Sequence, residues 1–241
     1  MTFSEGDIGK AFKIELEKQK YRIIDEGYDR RVYSSSFKVY LNKQIQTHSR
    51  KFQKFWAERG LDLKEIPPAQ PEIDMILVDD FGIMRAIEIK WIKKRKKRIT
   101  PSYYLGVGQT LAYLSFGFKQ VALWQCFDGE SLTDNEIFEY NAALTKIRNP
   151  LHPFLCATYF KIDKDQTNKP RIQTRIFQSN RPSKWEDGIG IFLPKIGEYK
   201  MMWNCFNPFI KHISPVHQNI NEQAHIIYEF LELQKSNLWS K

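Results

Sequence analysis

Apolar positions along the chain fall into two kinds of pattern. Between Asp7 and Lys20, and more strongly between Phe37 and Arg59, they return at helical intervals. Phe37, Leu41, Ile45, Phe52, Phe55 and Trp56 line one side of the second stretch, and Gly60 stands where a helix C-cap belongs. Amphipathic helices are therefore predicted over 7–20 and 37–59. Pro67, Pro68 and Pro71 bar a helix from the next segment, and Pro68–Glu72 is a candidate start for the first strand. Two nearly continuous apolar runs follow, Ile73–Val78 and Ile83–Ile92, separated by Asp79-Asp80-Phe81-Gly82. Asp and Gly mark a turn, so the two runs predict a β-hairpin. A cationic loop, a helix near Tyr103–Phe118 and a buried strand at Val121–Phe127 come next. Beyond them the pattern predicts a helix over Leu132–Ile147 capped by Thr133 or Asp134, strands at Phe154–Ile162 and Ile172–Phe177, and a closing helix at Asn221–Leu233.

The order helix, strand, strand, strand, helix, strand gives an α/β core with a central mixed sheet flanked by helices. Residues 37–130 are read as that core, 1–36 as an N-terminal extension packed on it, and 131–241 as a C-terminal elaboration of the same domain, since no Gly/Ser linker intervenes.

Composition narrows the setting. No stretch of 18 apolar residues predicts a membrane span, and MTFSEGDIGK has no apolar signal region. Cys126, Cys156 and Cys205 are far apart, without CxxC spacing, and read as free thiols of an intracellular protein, in cytoplasm or nucleoid. The net charge of +9 is unevenly placed: residues 37–119 carry sixteen basic against eight acidic side chains, while the segments on either side are nearly balanced. A concentrated positive field suits a polyanion such as nucleic acid, although a solvated surface has the same composition.

The hairpin concentrates candidate chemistry. If it is regular about Phe81, Asp74 stands opposite Glu88, and directly opposed residues share a face. Lys90, two residues past Glu88, projects from that face as well, while Ile87, Ile89 and Trp91 project from the other. Two ionised carboxylates opposed on a part-buried sheet repel and are costly to desolvate. A divalent cation relieves both problems; Mg²⁺ takes oxygen ligands and commonly uses one or two carboxylates, and the backbone carbonyl of Ile89 offers another oxygen. The plainer reading is a salt-bridge ladder on a solvated face, with Lys90 neutralising Glu88.

The run Pro71-Glu72-Ile73-Asp74 followed by Ala86-Ile87-Glu88-Ile89-Lys90 resembles the PD-(D/E)XK nuclease superfamily. Gln109-Thr110-Leu111-Ala112-Tyr113, on the next predicted helix, looks like the Gln-xxx-Tyr motif of its RecB-like branch; a Holliday-junction-resolvase-like branch is the other affiliation. The resemblance covers roughly residues 37–128. It implies a restriction-endonuclease-like core and a Mg²⁺- or Mn²⁺-dependent deoxyribonuclease. In it Asp74 and Glu88 bind the metal, Lys90 serves the attacking water, and Gln109 and Tyr113 support them. Two departures stand out. Three scattered cysteines cannot build the iron–sulfur cluster of some RecB-like nucleases. The upstream ligand that several branches place on the preceding helix falls to His48, or else to Glu58.

Lys93-Lys94-Arg95-Lys96-Lys97-Arg98 follows the Glu-X-Lys strand directly. Six cations cannot pack in a core, and beside the site they suit contacts to DNA phosphates. Cutting two strands often needs two sites, which makes a homodimer an expectation. Rival readings are a nucleic-acid-binding protein that keeps the fold but does not cut, and an interaction protein with an incidental basic loop. Cys205, His212 and His217 match no common zinc spacing, and Gly106-Val107-Gly108 is not a complete dinucleotide fingerprint.

Overall fold

Apolar runs with little alternation make strands covered on both faces, and such strands form the centre of the molecule. In the computed structural model the two runs lie in β4 (Glu72–Val78) and β5 (Met84–Arg95), in which all but the ends and Asp74 are buried. The structure describes residues 3–18, 21–25, 31–44, 49–65, 72–80, 84–96, 98–100, 105–115, 118, 120–148, 156–178, 181–189 and 229. No described helix is long and apolar enough to cross a membrane.

One large sheet runs in the order β10 (Arg181–Asp187), β9 (Pro170–Gln178), β8 (Cys156–Lys164), β7 (Gln120–Asp128), β5, β4, β3 (Lys38–Gln44). A short β6 (Arg98–Thr100) lies beside the far end of β5. The β5–β7 and β7–β8 pairs are parallel and the others antiparallel, so the sheet is mixed as expected and the fold α/β. Strands β8 to β10 continue the sheet beyond β7. A separate antiparallel pair, β1 (Tyr21–Asp25) with β2 (Arg31–Ser35), has no counterpart among the elements that the pattern predicts.

Helices cover both faces. On one, α1 (Glu5–Lys18) sets Ile8, Phe12 and Leu16 against Ile87, Ile89, Trp91, Trp124 and Phe160. On the other, Phe52, Phe55 and Trp56 of α2 (Arg50–Ala57) and Tyr113 of α3 (Val107–Ser115) pack with Ile76, Val78 and Ala86. Further along that face, Ile137 and Tyr140 of α4 (Asp134–Arg148) cover Ile92 and Phe127. A capping box starts α4: Thr133 Oγ1 accepts the Glu136 N–H while the Glu136 carboxylate accepts the Thr133 N–H.

One predicted helix takes a different form. The helix expected over 37–59 is a strand followed by a two-turn helix. Phe37 and Leu41 are spaced for a helix, but Val39 and Leu41 face α1 while Tyr40 faces α2. Burial on both sides, with β4 as hydrogen-bonding partner, overrides the local spacing. The cationic run, expected as an exposed loop or strand end, is the end of β5 and the turn of a hairpin: β5 runs on through Arg95 and turns at Lys96, whose φ of 45° lies in the left-handed region, into β6. Residues 45–48, 66–71, 81–83, 101–104 and 154–155, and the closing helix Asn221–Leu233 apart from Glu229, lie outside the described residues. Glu229 itself accepts the Arg59 guanidinium at 2.9 Å.

Candidate active site

Strand β5 has β7 along one edge from Arg85 to Ile92. Its other edge is shared. β4 pairs with it only as far as Met75↔Ile87, in the register symmetric about Phe81 that the sequence predicts. From there β4 stays with β3, through Ile73 and Glu72, and leaves β5. Further along, the Lys94 N–H donates to Ser131 Oγ just past β7, so Lys93 and Arg95 look the opposite way, to β6, on the edge β4 occupied. Between β4 and β6 the edge of β5 is open at residues 88–92, and two carboxylates fill in as acceptors. The Ile89 N–H donates to Asp74 Oδ2 at 2.7 Å, and the Trp91 N–H to Glu5 Oε1 at 3.0 Å. A strand residue points its N–H and C=O the same way, so the Ile89 carbonyl faces this opening too.

Glu88 and Lys90 project beside it. Glu88 is 0% exposed and Lys90 8%. The Lys90 ammonium lies 2.5 Å from Glu88 Oε1, and the Tyr113 hydroxyl contacts Glu88 Oε2 while also lying 3.0 Å from the Glu72 carbonyl. That hydroxyl has one proton for two acceptors, so it ties β4 to β5 where their ladder has ended. Gly106 precedes α3 with φ +88°, and a Cβ there would sit 3.0 Å from Lys90 Cγ and 2.7 Å from Leu123 Cδ1. Only glycine lets the start of α3 rest on the lysine stem.

Electrostatics follow from this burial. Desolvation, and after it the Glu88 charge, push the Asp74 carboxyl up to about 7. Desolvation also raises Glu88, against the opposing pull of its bonds to Lys90 and Tyr113. Burial alone would lower Lys90, but its hydrogen bond to Glu88 and the Glu88 charge outweigh it and hold the ammonium protonated. Burial and the Glu88 charge raise Tyr113, which stays a donor.

The structure thus brings together Asp74, Glu88, Lys90 and Tyr113 and sets the Ile89 backbone beside them. Asp74 and Glu88 are neighbours across the opening rather than a ladder pair, because β4 diverges one residue earlier. Gln109 is exposed one turn before Tyr113 and makes none of these contacts. Glu58 is exposed at the C-cap of α2, 3.8 Å from Lys54. His48 lies outside the described residues, as does Lys97. Of the other cations, Lys93 is half-buried while Lys94, Arg95, Lys96 and Arg98 are exposed, and Lys94 is held 2.5 Å from Glu136 of α4.

Glu5 is the residue that the sequence pattern does not single out. Its charge acts on Asp74, Glu88 and Lys90 alike. The resemblance points to the helix preceding the core strands as the source of a further ligand, and the spacing predicts that helix over 37–59. Two described helices precede β4 and pack on the sheet, α1 on one face and α2 on the other; of their side chains it is Glu5 of α1 that bonds to the edge of β5.

The donors at the opening are all oxygens: Asp74 Oδ1, which has no donor among the described residues, the Glu88 carboxylate and the Ile89 carbonyl. Two carboxylates, both with raised proton affinity, suit a hard divalent cation that keeps part of its water shell. No group of three His, Cys, Asp or Glu side chains placed to ligate one ion occurs among the described residues. A scan against protein-family profiles gave no match, and neither did searches of curated proteins and of solved structures. The class that fold and site define is therefore an α/β protein with a carboxylate–carboxylate–lysine cluster at a split between strands.

Proposed function

We infer that the protein is a metal-dependent nuclease that hydrolyses DNA phosphodiester bonds, of the PD-(D/E)XK kind, with a restriction-endonuclease-like core. The observation that carries this reading is the opening between β4 and β5, where half-buried Asp74 meets buried Glu88 and Lys90. Asp74 and Glu88, with the Ile89 carbonyl, hold Mg²⁺ or Mn²⁺. When bound there, such an ion would supply positive charge beside the scissile phosphate and the attacking water. Lys90 orients the attacking water and stabilises charge growing on the phosphoryl oxygens as the bond to the leaving oxygen breaks. Tyr113 fixes Glu88, and Glu5 adds negative charge behind the ligands. The exposed cations of the β5–β6 hairpin, Arg95, Lys96 and Arg98, with Lys93 at its base, contact backbone phosphates without reading sequence. Two copies acting as a dimer would cut both strands, a point sedimentation velocity decides.

A second reading, a DNA-binding protein that does not cut, is favoured by one observation: both Glu88 oxygens already have partners, Lys90 and Tyr113. One experiment separates the two. The purified protein is incubated with plasmid, linear and branched DNA, with and without Mg²⁺ or Mn²⁺. Metal-dependent cleavage by the wild type, lost in Asp74→Ala and Glu88→Ala while circular dichroism is unchanged, supports the nuclease. DNA binding without cleavage under any divalent ion leaves the binding protein.

A further inference from the structure

Gln125 lies on β7 in parallel register with Lys90. Register partners in a sheet share a face and sit about 4.8 Å apart, so the glutamine is the nearest neighbour of the lysine across the strands. It is 2% exposed, and its Oε1 accepts no hydrogen bond from the described residues. A buried carbonyl oxygen left without a donor is unfavourable, and native proteins keep few of them. The unmet acceptor belongs to the strand neighbour of a lysine whose ammonium is paired with Glu88.

That pairing cannot persist if the site works as inferred above. Were Glu88 to hold a divalent cation, its carboxylate would have less charge to offer Lys90, and the ammonium would be repelled by the like charge. Lys90 is 8% exposed and its stem lies against Gly106, which leaves the ammonium little room to swing into water. It needs an acceptor within the protein. We propose that Gln125 is a positioning residue: its Oε1 takes the Lys90 ammonium when Glu88 turns to a metal, and holds it over the reacting phosphate. In the structure Lys90 is paired with Glu88 and Gln125 Oε1 is without a partner among the described residues. This rests on the metal-site reading, and adds to it the residue one strand away that makes the lysine and the cation compatible.

Cation binding tests it directly in the full-length protein. Mg²⁺ and Mn²⁺ affinities are measured by titration calorimetry, alongside metal-free melting temperature. Gln125→Leu should weaken cation binding about tenfold, the scale of one charge-assisted hydrogen bond, while the metal-free protein melts no lower than wild type. Gln125→Glu, which keeps an oxygen acceptor, should restore affinity. In a Lys90→Met background the Gln125→Leu change should no longer matter. Gln125→Met repeats the measurement should Gln125→Leu fail to fold. Unchanged affinity in the leucine variant, or an equal loss in the Lys90→Met background, overturns the positioning role alone. Absence of cation binding in the wild type, or binding that survives Asp74→Asn together with Glu88→Gln, overturns the metal site and this role with it.

Discussion

At the scale of single residues, the site is a balance of charges kept from water. Asp74 titrates near 7 because burial and Glu88 oppose its ionisation. A carboxyl whose folded pKa exceeds its unfolded value binds more protons when folded. Its contribution is therefore most favourable below the ordinary pKa of 3.8 and is lost as pH rises through about 7. Asp74→Asn removes that dependence. The melting temperature of the variant should gain on that of the wild type from pH 5 to pH 8, and Mg²⁺ should raise the wild-type value more at pH 8 than at pH 5. A gap that stays constant with pH would show that Asp74 does not titrate in this range. Lys90→Ala should lower kcat by about 10²–10³-fold, the usual scale for losing one group that meets developing charge. KM for DNA should move little, and single-turnover kinetics at saturating DNA make the distinction. Glu5→Gln retains an oxygen for the Trp91 N–H but not its charge, so it should weaken cation affinity without unfolding the protein.

Among the elements, the β5–β6 hairpin carries the clearest expectation for substrate binding. Replacing Lys93, Arg95, Lys96 and Arg98 by Gln should weaken binding to different DNA sequences alike. It should also flatten the slope of log K against log salt by roughly 0.9 for each duplex phosphate that is no longer neutralised. Fluorescence anisotropy across a salt series, with Ca²⁺ present to suppress cutting, reads both; an unchanged slope would separate the hairpin from DNA. Lys94 belongs to a different interaction, since its ion pair with Glu136 fastens the hairpin to α4. The elements also show what a sequence discloses. The β4–β5 register is legible because two apolar runs flank a short turn, and opposition about its centre follows from the period of a strand. The end of that register is not, because the departure of β4 depends on its pairing with β3. β3 is itself hidden, for its apolar residues serve two faces and imitate a helix. Glu5 is hidden for the same reason, and Gln125 because nothing in a buried strand marks one polar residue as facing a lysine on its neighbour.

Across the whole molecule, stability and site share a foundation. α1 is at once the cover of one sheet face and the source of Glu5, so the N-terminal helix is part of the core. Phe12 packs on Trp124 and Phe160 with ring centres 4.7 Å and 4.8 Å away. Phe12→Ala should cost about 3–5 kcal/mol, as for other large aromatic truncations in packed cores, and a urea unfolding curve measures it. A loss below about 1 kcal/mol would mean that α1 is peripheral. The open edge of β5 has one further consequence. The amide protons of Ile89 and Trp91 bond to carboxylate side chains where a regular sheet would supply carbonyls. The Ile89 shift and its exchange rate with deuterated water should follow the protonation of Asp74, and both amides should respond to an ion bound at the opening, so two backbone signals act as built-in gauges, legible without any substrate.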